Sequence, residues 1–271
     1  TVAGLGEAVA AALATIPAAA TPALVQILSH DTPPRQAAAV QALQRIAAPE
    51  AAGPVLELLD TPAPVGEAAR EFALQLPALS LPALVEKLCA ERSELRRVAA
   101  DTCVALGASG LQALVEVLTT GEEVARVAAL DALALSGAEV ARGPIVEATL
   151  DESGTVRIHA ASALGLVRTA DGLSALCRLI ADTDAEVRSA AANSLLVHGR
   201  DALTALIDYY SLRSRLPEPI VTLTLRAMGD AAVGGLMDLA RSQPAHVRAG
   251  AVNCLVALEH QDLLDLLPGL M

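Results

Sequence analysis

The sequence is very poor in aromatic residues, which make up 1% of its 271 positions. It has no tryptophan, one phenylalanine (Phe72) and two tyrosines (Tyr209 and Tyr210), although hydrophobic residues account for 54% of the chain. A β-sandwich is normally built from β-branched and aromatic residues. A core of alanine, leucine and valine therefore predicts closely packed helices and argues against a β-sandwich.

Basic residues are also scarce. The 19 lysines and arginines face 31 acidic residues, which gives a net charge of −12, and Lys87 is the single lysine. Such a chain repels phosphate backbones, and no polybasic segment is present to bind nucleic acid or anionic lipid. Since no apolar run reaches 18 residues and the N-terminus lacks a basic signal region, we expect neither membrane insertion nor a signal peptide.

The chain has four cysteines, Cys89, Cys103, Cys177 and Cys254, and none of them forms a CxxC pair. All four fall at apolar positions of predicted helices. This pattern is typical of buried, reduced thiols rather than of a disulfide framework or a zinc site. A cytoplasmic location follows from that interpretation.

What the sequence does contain is a repeat of about 30 residues. A segment related to Ala-Leu-Val followed by a polar residue occurs at residues 22–28, 82–88, 112–118, 174–180, 204–210 and 234–240. A fixed period in this range indicates a solenoid, in which each unit buries its apolar face against its neighbours.

Each unit contains two predicted helices, here called helix A and helix B. Helix B is rich in alanine and is followed by a small-residue turn, as at Gly107 and Gly199, where a helix C-cap glycine is expected. Prolines are placed at unit boundaries, in turns or near the first turns of helices. The predicted units run over residues 22–46, 50–76, 80–107, 110–136, 140–168, 171–198, 201–229 and 231–258.

Two units carry a recognisable pattern at the start of helix B. The residues are Asp151, Val156, Arg157, Ala160, Ala161, Leu164 and Gly165 in one unit, and Asp182, Val187, Arg188, Ala190, Ala191 and Leu195 in the next. This pattern resembles HEAT-like repeats of the phycobilisome-lyase type. The resemblance implies that Asp151 and Asp182 cap helix B and that Arg157 and Arg188 contact neighbouring repeats. Other units depart from the pattern: Ser242 replaces the aspartate, and around 124–126 the arginine is displaced to Arg126.

These observations predict an all-α fold, a right-handed α-solenoid of about eight HEAT-like helix pairs. We expect one repeat domain over residues 1–271, with half-units at 1–20 and 260–271. The unit at 201–229 is irregular, because its turn at 211–219 is long.

HEAT-like folds include enzymes, and each class has a signature to test. Iron-dependent hydroxylases of this type carry His-Glu pairs, and this sequence has none; its five histidines are His30, His159, His198, His246 and His260. We read them as solvated or capping residues, although stacking would bring His159 and His198 closer together. DNA glycosylases need a basic face with aromatic residues, and a bound tetrapyrrole needs side chains on which to stack. We therefore predict no catalytic residues, no metal site and no cofactor.

On helix B, the residue two positions before a recurring apolar anchor is polar in most units. In the resembling family helix B lines the concave side, so this row and its apolar neighbours are predicted to bind a partner segment. The candidate residues are Gln41, Glu71, Asp101, Val104, Asp131, Ile158, Ser162, Asn193, Leu196, Asn253 and Val256. The alternative is a solvated stripe beside side chains that are more buried than the pattern indicates.

On helix A, the residue after the Ala-Leu-Val element is often acidic. The members of this row are Glu57, Glu86, Glu116, Glu147, Asp208 and Asp238. A charged face for solubility is the simplest interpretation, and a patch for a basic partner is the alternative.

The sequence thus predicts a non-catalytic scaffold that binds a partner protein or peptide through the concave surface of the helices B. One alternative is a lyase or enzyme-associated subunit that positions a cofactor or acceptor protein. Another is an assembly module that stacks through uncapped ends, using Leu263, Leu264 and Leu267 or the N-terminal half-unit.

Overall fold

The computed structural model describes residues 17–211, 219–241 and 244–258. Within those ranges the chain contains sixteen α-helices, a few short 3₁₀ turns and no strand. The chain divides into two compact units, residues 1–136 (unit 1) and 137–271 (unit 2). The predicted all-α repeat fold is confirmed, while a single domain over the whole chain stays a prediction.

The described residues of unit 1 form four helix pairs. Its helices A are α1 (Pro17–His30), α3 (Ala52–Leu56), α5 (Pro77–Lys87) and α7 (Ala108–Thr120). Its helices B are α2 (Pro33–Ile46), α4 (Val65–Gln75), α6 (Ser93–Ala105) and α8 (Glu123–Ser136). Each helix A packs beside the next helix A and each helix B beside the next helix B, so that the unit has two layers.

Unit 2 repeats this arrangement. Its helices A are α9 (Arg142–Glu147), α11 (Ala170–Leu179), α13 (Arg200–Ser211) and α15 (Asp230–Ala240). Its helices B are α10 (Gly154–Leu166), α12 (Ala185–His198), α14 (Pro219–Met228) and α16 (Ala245–Ala257). The helices A contact one another in sequence, and α12 packs between α10 and α14. Eight helix pairs are therefore described, as the repeat predicts.

The core follows the predicted helical spacing. In α12 the buried residues are Val187, Ala191, Ser194, Leu195 and His198, which recur every three or four positions. No described helix is long and apolar enough to cross a membrane. The irregular turn of the 201–229 unit and the leucines at 263, 264 and 267 lie outside the described residues.

Two prolines lie within helices rather than at their starts. The first helix begins at Pro17 and continues through Pro22, and α5 begins at Pro77 and continues through Pro82. The predicted units were therefore placed several residues late at these two points. A proline near the start of a helix removes one backbone hydrogen bond, and here the rest of the helix keeps its register.

The chain leaves several helices B through a residue with a positive φ. Gly107, Gly137, Gly199 and Gly229 have φ values between 55° and 71°, which confirms the predicted glycine turns. Ala47, after α2, also has a positive φ of 54°, but its ψ of 38° lies in the left-handed helical region, whereas the ψ values of Gly107, Gly199 and Gly229 lie between −147° and −122°. Its methyl group makes that conformation costlier than it is for glycine.

We expect Ala47→Gly to raise the free energy of unfolding by about 1 kcal/mol, because glycine adopts this φ without strain. Gly199→Ala should lower it by at least as much, because φ of 55° with ψ of −122° is a backbone region that residues with a Cβ rarely adopt, although the added Cβ meets no neighbouring atom. Gly143→Ala is the matched control: that site is also open but has no positive φ, so it should be neutral or stabilising. Chemical denaturation measures all three. Equal effects at positions 143 and 199 would contradict this account.

Three of the four cysteines are buried, as predicted, but Cys89 is exposed. It lies in the turn after α5 rather than on an apolar helix face, so the prediction is wrong for this residue. Burial raises the pKa of Cys103 and of Cys177 to about 12, and that of Cys254 to about 11. Partial burial and the nearby Glu122 carboxylate also raise the pKa of the Cys89 thiol.

In the folded protein we expect iodoacetamide to modify one thiol of four, slowly at neutral pH and faster at alkaline pH, because only Cys89 is accessible and its raised pKa limits the attacking thiolate. Cys89→Ser should abolish that reaction, and denaturant should release the other three thiols. Glu122→Gln should speed the modification of Cys89 by lowering its thiol pKa. Labelling is followed by mass spectrometry; rapid modification of Cys103 in the native state would contradict the fold.

Candidate functional site

A depression of about 570 Å³ lies between α10 and α12, two neighbouring helices B of unit 2. It is open to solvent, and its lining is mostly small and uncharged. The lining residues are Ser162, Gly165, Leu166, Ala185, Glu186, Ser189, Ala190, Asn193, Ser194 and Val197.

Close approach of the two helices shapes the depression. A Cβ on Gly165 would lie only 3.1 Å from Ser194 Oγ, so glycine allows the helices to come together. Small side chains at Ala185 and Ala190 leave the space above the contact empty. Two larger apolar side chains remain beside it, Leu166 at 62% and Val197 at 55% exposure. The result is an apolar groove with hydroxyl and amide groups along it.

An ion pair fixes the start of α10 against the neighbouring repeat. Arg157 Nε and Nη2 donate to the two carboxylate oxygens of Asp182, at 2.9 and 3.1 Å. Both side chains are largely buried. Burial raises the pKa of the Asp182 carboxyl, but hydrogen bonds from Arg157 and from the Asp184 backbone outweigh it, so this pKa lies below its usual range. The hydrogen bond to Asp182 raises the pKa of Arg157.

The same arginine also folds back onto its own turn. Its Nη1 atom donates to the carbonyl oxygens of Asp151 and Glu152, six and five residues earlier. The inter-repeat contact implied for Arg157 is thereby found, together with a contact inside the turn.

Other helices B begin with an equivalent arginine. Arg188 Nη1 binds the carbonyls of Asp182 and Thr183, and Arg96 Nη1 binds those of Ala90 and Glu91. Arg126 binds the carbonyl of Gly121 at 2.9 Å. The expectation that Arg126 is displaced from the repeat pattern is wrong. Its backbone N–H donates to the carbonyl oxygen of Glu122, four residues earlier and just before the helix begins. The backbone N–H groups of the other arginines donate in the same way to the residues that cap their own helices.

The aspartates of the repeat pattern form hydrogen bonds in the turn before helix B rather than at the helix cap. Asp151 and Asp182 accept hydrogen bonds from the backbone N–H groups two residues later. The helix caps themselves are Ser153, whose Oγ accepts from Val156, and Asp184, which accepts from Glu186. The implied capping role of Asp151 and Asp182 is therefore corrected to one of holding the turn that presents the cap.

The far ends of α10 and α12 are also joined. His198 is buried, and its Nε2 lies 2.8 Å from the Leu164 carbonyl oxygen; that oxygen only accepts, so Nε2 carries the proton. Arg168 donates to the Val197 carbonyl oxygen at 3.2 Å. His198 is therefore not solvated; it agrees with the capping alternative, because it donates to one of the last carbonyl oxygens of α10. Among the described residues, no three histidine, cysteine, aspartate or glutamate side chains converge as metal ligands would.

The predicted partner-binding residues fall into two groups. Those exposed to solvent are Gln41, Glu71, Asp131, Ser162, Asn193, Asn253 and Val256. Those only partly exposed are Asp101, Val104, Ile158 and Leu196. Ser162 and Asn193 are brought together at the depression, and none of the others lines it.

The sequence reasoning missed Leu166 and Val197. Each lies two residues after a buried anchor, Leu164 and Leu195 respectively, and therefore about 200° around the helix from the core. Leu196 is only 100° from its anchor and is half-buried on the flank. An apolar residue two positions after a buried anchor also occurs at Leu135, which follows the buried Leu133 and is 74% exposed.

The acidic row on the helices A is partly neutralised within the protein. Glu57 pairs with Lys87 and Arg92 of the next repeat, and their hydrogen bonds and charges hold its pKa below the usual range. Asp238 pairs with Arg200 at 3.2 Å, and Asp208 lies 3.5 Å from His246. These members of the row therefore connect helices rather than stand as a free patch.

Comparison with known protein families agrees with a fold built from repeated helix pairs. A family model described as HEAT repeats matches residues 111–196 and, in a second alignment, residues 142–211. Both matches include α10 and most or all of α12, the helices that form the depression. Comparison with curated proteins finds no match.

Three solved structures are similar to this chain at low sequence identity and low TM-score. An engineered protein is 22% identical, with a TM-score of 0.37, over 88% of this chain and 96% of its own. A crystal structure of importin β is 17% identical, with a TM-score of 0.40, over 88% of this chain and 42% of that one. A designed armadillo repeat protein is 20% identical, with a TM-score of 0.34, over 88% and 99% of the two chains.

Helix pairs that pack in two layers within each unit define a helical repeat protein. The match over residues 111–211 specifies the kind of repeat. Residues 111–211 of the chain therefore contain HEAT-like repeats; their assignment to the phycobilisome-lyase type stays a prediction.

We expect Arg157→Ala to lower the free energy of unfolding by about 2 kcal/mol at neutral pH, because it leaves the Asp182 carboxylate and two turn carbonyls without a donor. Asp182 has a depressed pKa in the folded state, so its stabilising effect is present above its unfolded pKa, near ~3.9, and disappears as the pH falls through the folded value. The loss caused by Arg157→Ala should therefore shrink in acid.

Denaturation at several pH values measures this effect. Arg178→Ala, at an exposed position of α11, is the matched control and should change stability by less than about 0.5 kcal/mol. A loss that stayed constant down to pH 3 would show that the ion pair with Asp182 is not its cause.

Proposed function

We propose that this HEAT-like repeat protein is a non-catalytic scaffold that binds a segment of a partner protein through the surface of its helices B. The observation that carries the proposal is the depression between α10 and α12, where the exposed side chains of Leu166 and Val197 stand beside a floor of small residues. Apolar side chains grouped in this way on a folded surface are typical of interaction sites.

The chemistry of the lining favours an apolar segment held by a few hydrogen bonds. Glu186 is the one charged residue in the lining, and small residues form the floor, so that the side chains of a partner can enter between the helices. Ser162 and Asn193 stand on opposite helices and offer hydroxyl and amide groups to the backbone of such a segment. Apolar contact supplies the affinity, and these polar groups fix the register.

The rigidity of the two walls supports the same function. Arg157 holds the N-terminal end of α10 to the turn before α12, and His198 and Arg168 join the two helices near their C-terminal ends. A groove fixed at both ends loses little conformational freedom when a ligand binds, which favours affinity.

We expect the double substitution Asn193→Arg and Val197→Glu to abolish binding of peptides selected on the wild-type protein from a displayed random library. Both positions are exposed, so the fold should persist, and circular dichroism checks this. Val197 lines the depression and Leu196 does not, so Val197 is the residue chosen for substitution.

The matched control introduces the same charges outside the depression, as Ser174→Arg and Leu150→Glu, both at exposed positions of unit 2. Peptides that bind this control and the wild type equally, but not the depression variant, support the proposal. Peptides that bind all three proteins equally, or a library that yields no binder, contradict it.

A further inference from the structure

A second surface, in unit 1, has a different chemistry. The helices α4, α6 and α8 pack side by side, and each carries a carboxylate two residues before a fully buried anchor. These carboxylates are Glu71, Asp101 and Asp131, which precede Ala73, Cys103 and Leu133. Since the anchors face the core, the carboxylates lie about 200° away, on the outer face of the helix layer.

An apolar residue follows each carboxylate by one helical turn. Leu74 and Leu135 are 42% and 74% exposed, and Val104 is partly exposed between them. Residues three or four positions apart occupy the same side of a helix. Leu74 and Val104 lie 100° from their anchors, towards the flank, and Leu135 lies 200° from its anchor. The surface thus presents an acidic row and, about one turn along each helix, an apolar side chain; these three side chains are called the apolar row.

We propose that these two rows bind a basic amphipathic helix of a partner protein. Neighbouring packed helices are about 8–10 Å apart, so the carboxylates recur at about that interval along the row. Two turns of an α-helix advance about 10.5 Å, so lysine or arginine at positions i, i+7 and i+14 meets successive carboxylates. Leucine at i+3, i+10 and i+17 then reaches the apolar row from the same side of the partner.

An extended segment fits less well. Three residues of a strand also span about 10 Å, but positions i and i+3 of a strand point to opposite faces. Such a strand would bring only every second basic residue to the carboxylates. The spacing of the row therefore selects a helix.

The contacts of Asp101 and Glu71 do not prevent this exchange. Asp101 pairs with Arg97 at 2.7 Å, but its side chain is 33% exposed and that of Arg97 more so. Glu71 accepts a hydrogen bond from Gln75 at the surface. Exposed pairs of this kind contribute little, so a partner cation can replace or share them. This proposal concerns unit 1 and does not depend on the depression in unit 2.

The test uses the full chain and a fluorescent helical peptide with lysine at i, i+7 and i+14 and leucine at i+3, i+10 and i+17, on a background of alanine and glutamine. Fluorescence anisotropy should show binding that weakens with added salt. The triple variant Glu71→Gln, Asp101→Asn, Asp131→Asn should bind at least tenfold more weakly. Leu135→Ser should also weaken binding, which attraction by charge alone does not predict.

Two controls decide the outcome. A peptide of the same composition with its lysines out of the seven-residue spacing should bind at least tenfold more weakly than the designed one. The variant Glu50→Gln, Glu86→Gln, Glu116→Gln removes the same charge from exposed positions elsewhere in unit 1 and should bind within about twofold of wild type. Equal binding of the two peptides, an equal loss in both triple variants, or no binding at all overturns the proposal.

Discussion

Close contact between neighbouring helices B is the constraint on which the rest of this structure depends. A single helix pair cannot bury its own apolar stripe, so each pair needs the next one to cover it. Alanine, glycine and serine at these contacts let the backbones approach, as Gly165 does against Ser194. The scarcity of aromatic residues follows from this geometry, because a large side chain between two such helices would force them apart.

Small side chains pack well but define the angle between helices poorly, and polar contacts supply that definition. The arginines near the starts of helices B bind the carbonyl oxygens of the preceding turn, and Arg157 extends the contact to Asp182 of the next repeat. Such charge-assisted hydrogen bonds are directional, whereas apolar contact is not. The apolar stripe thus provides most of the stability of the repeat, and the arginine sets how one repeat meets the next.

The sequence was sufficient for the helix pairs, because an apolar stripe with a period of 3.6 residues has one reading. It was less sufficient for the outer face. Leu196 and Val197 are adjacent and both apolar. Leu196 lies 100° around the helix from the buried anchor Leu195, whereas Val197 lies 200° from it, so only Val197 lines the depression. Cys89 has an apolar neighbour on each side and still lies exposed, because the helix ends just before it. The apolar pattern predicts where helices occur, but it does not predict which side chains on their outer faces are exposed or at which residue each helix ends.

The repeat separates the positions that maintain the fold from those that are able to vary. Anchors such as Cys103, Leu133, Leu164 and Leu195 are all fully buried, and replacement by a charged residue would leave that charge without water. Two residues earlier, the side chain meets solvent and carries no such constraint. In unit 1 that position holds a carboxylate on three successive helices, whereas α10 and α12 of unit 2 hold serine and asparagine there. One backbone register therefore presents an acidic surface in one unit and a neutral one in the other, and the chemistry of a partner is set by side chains on which the fold does not depend.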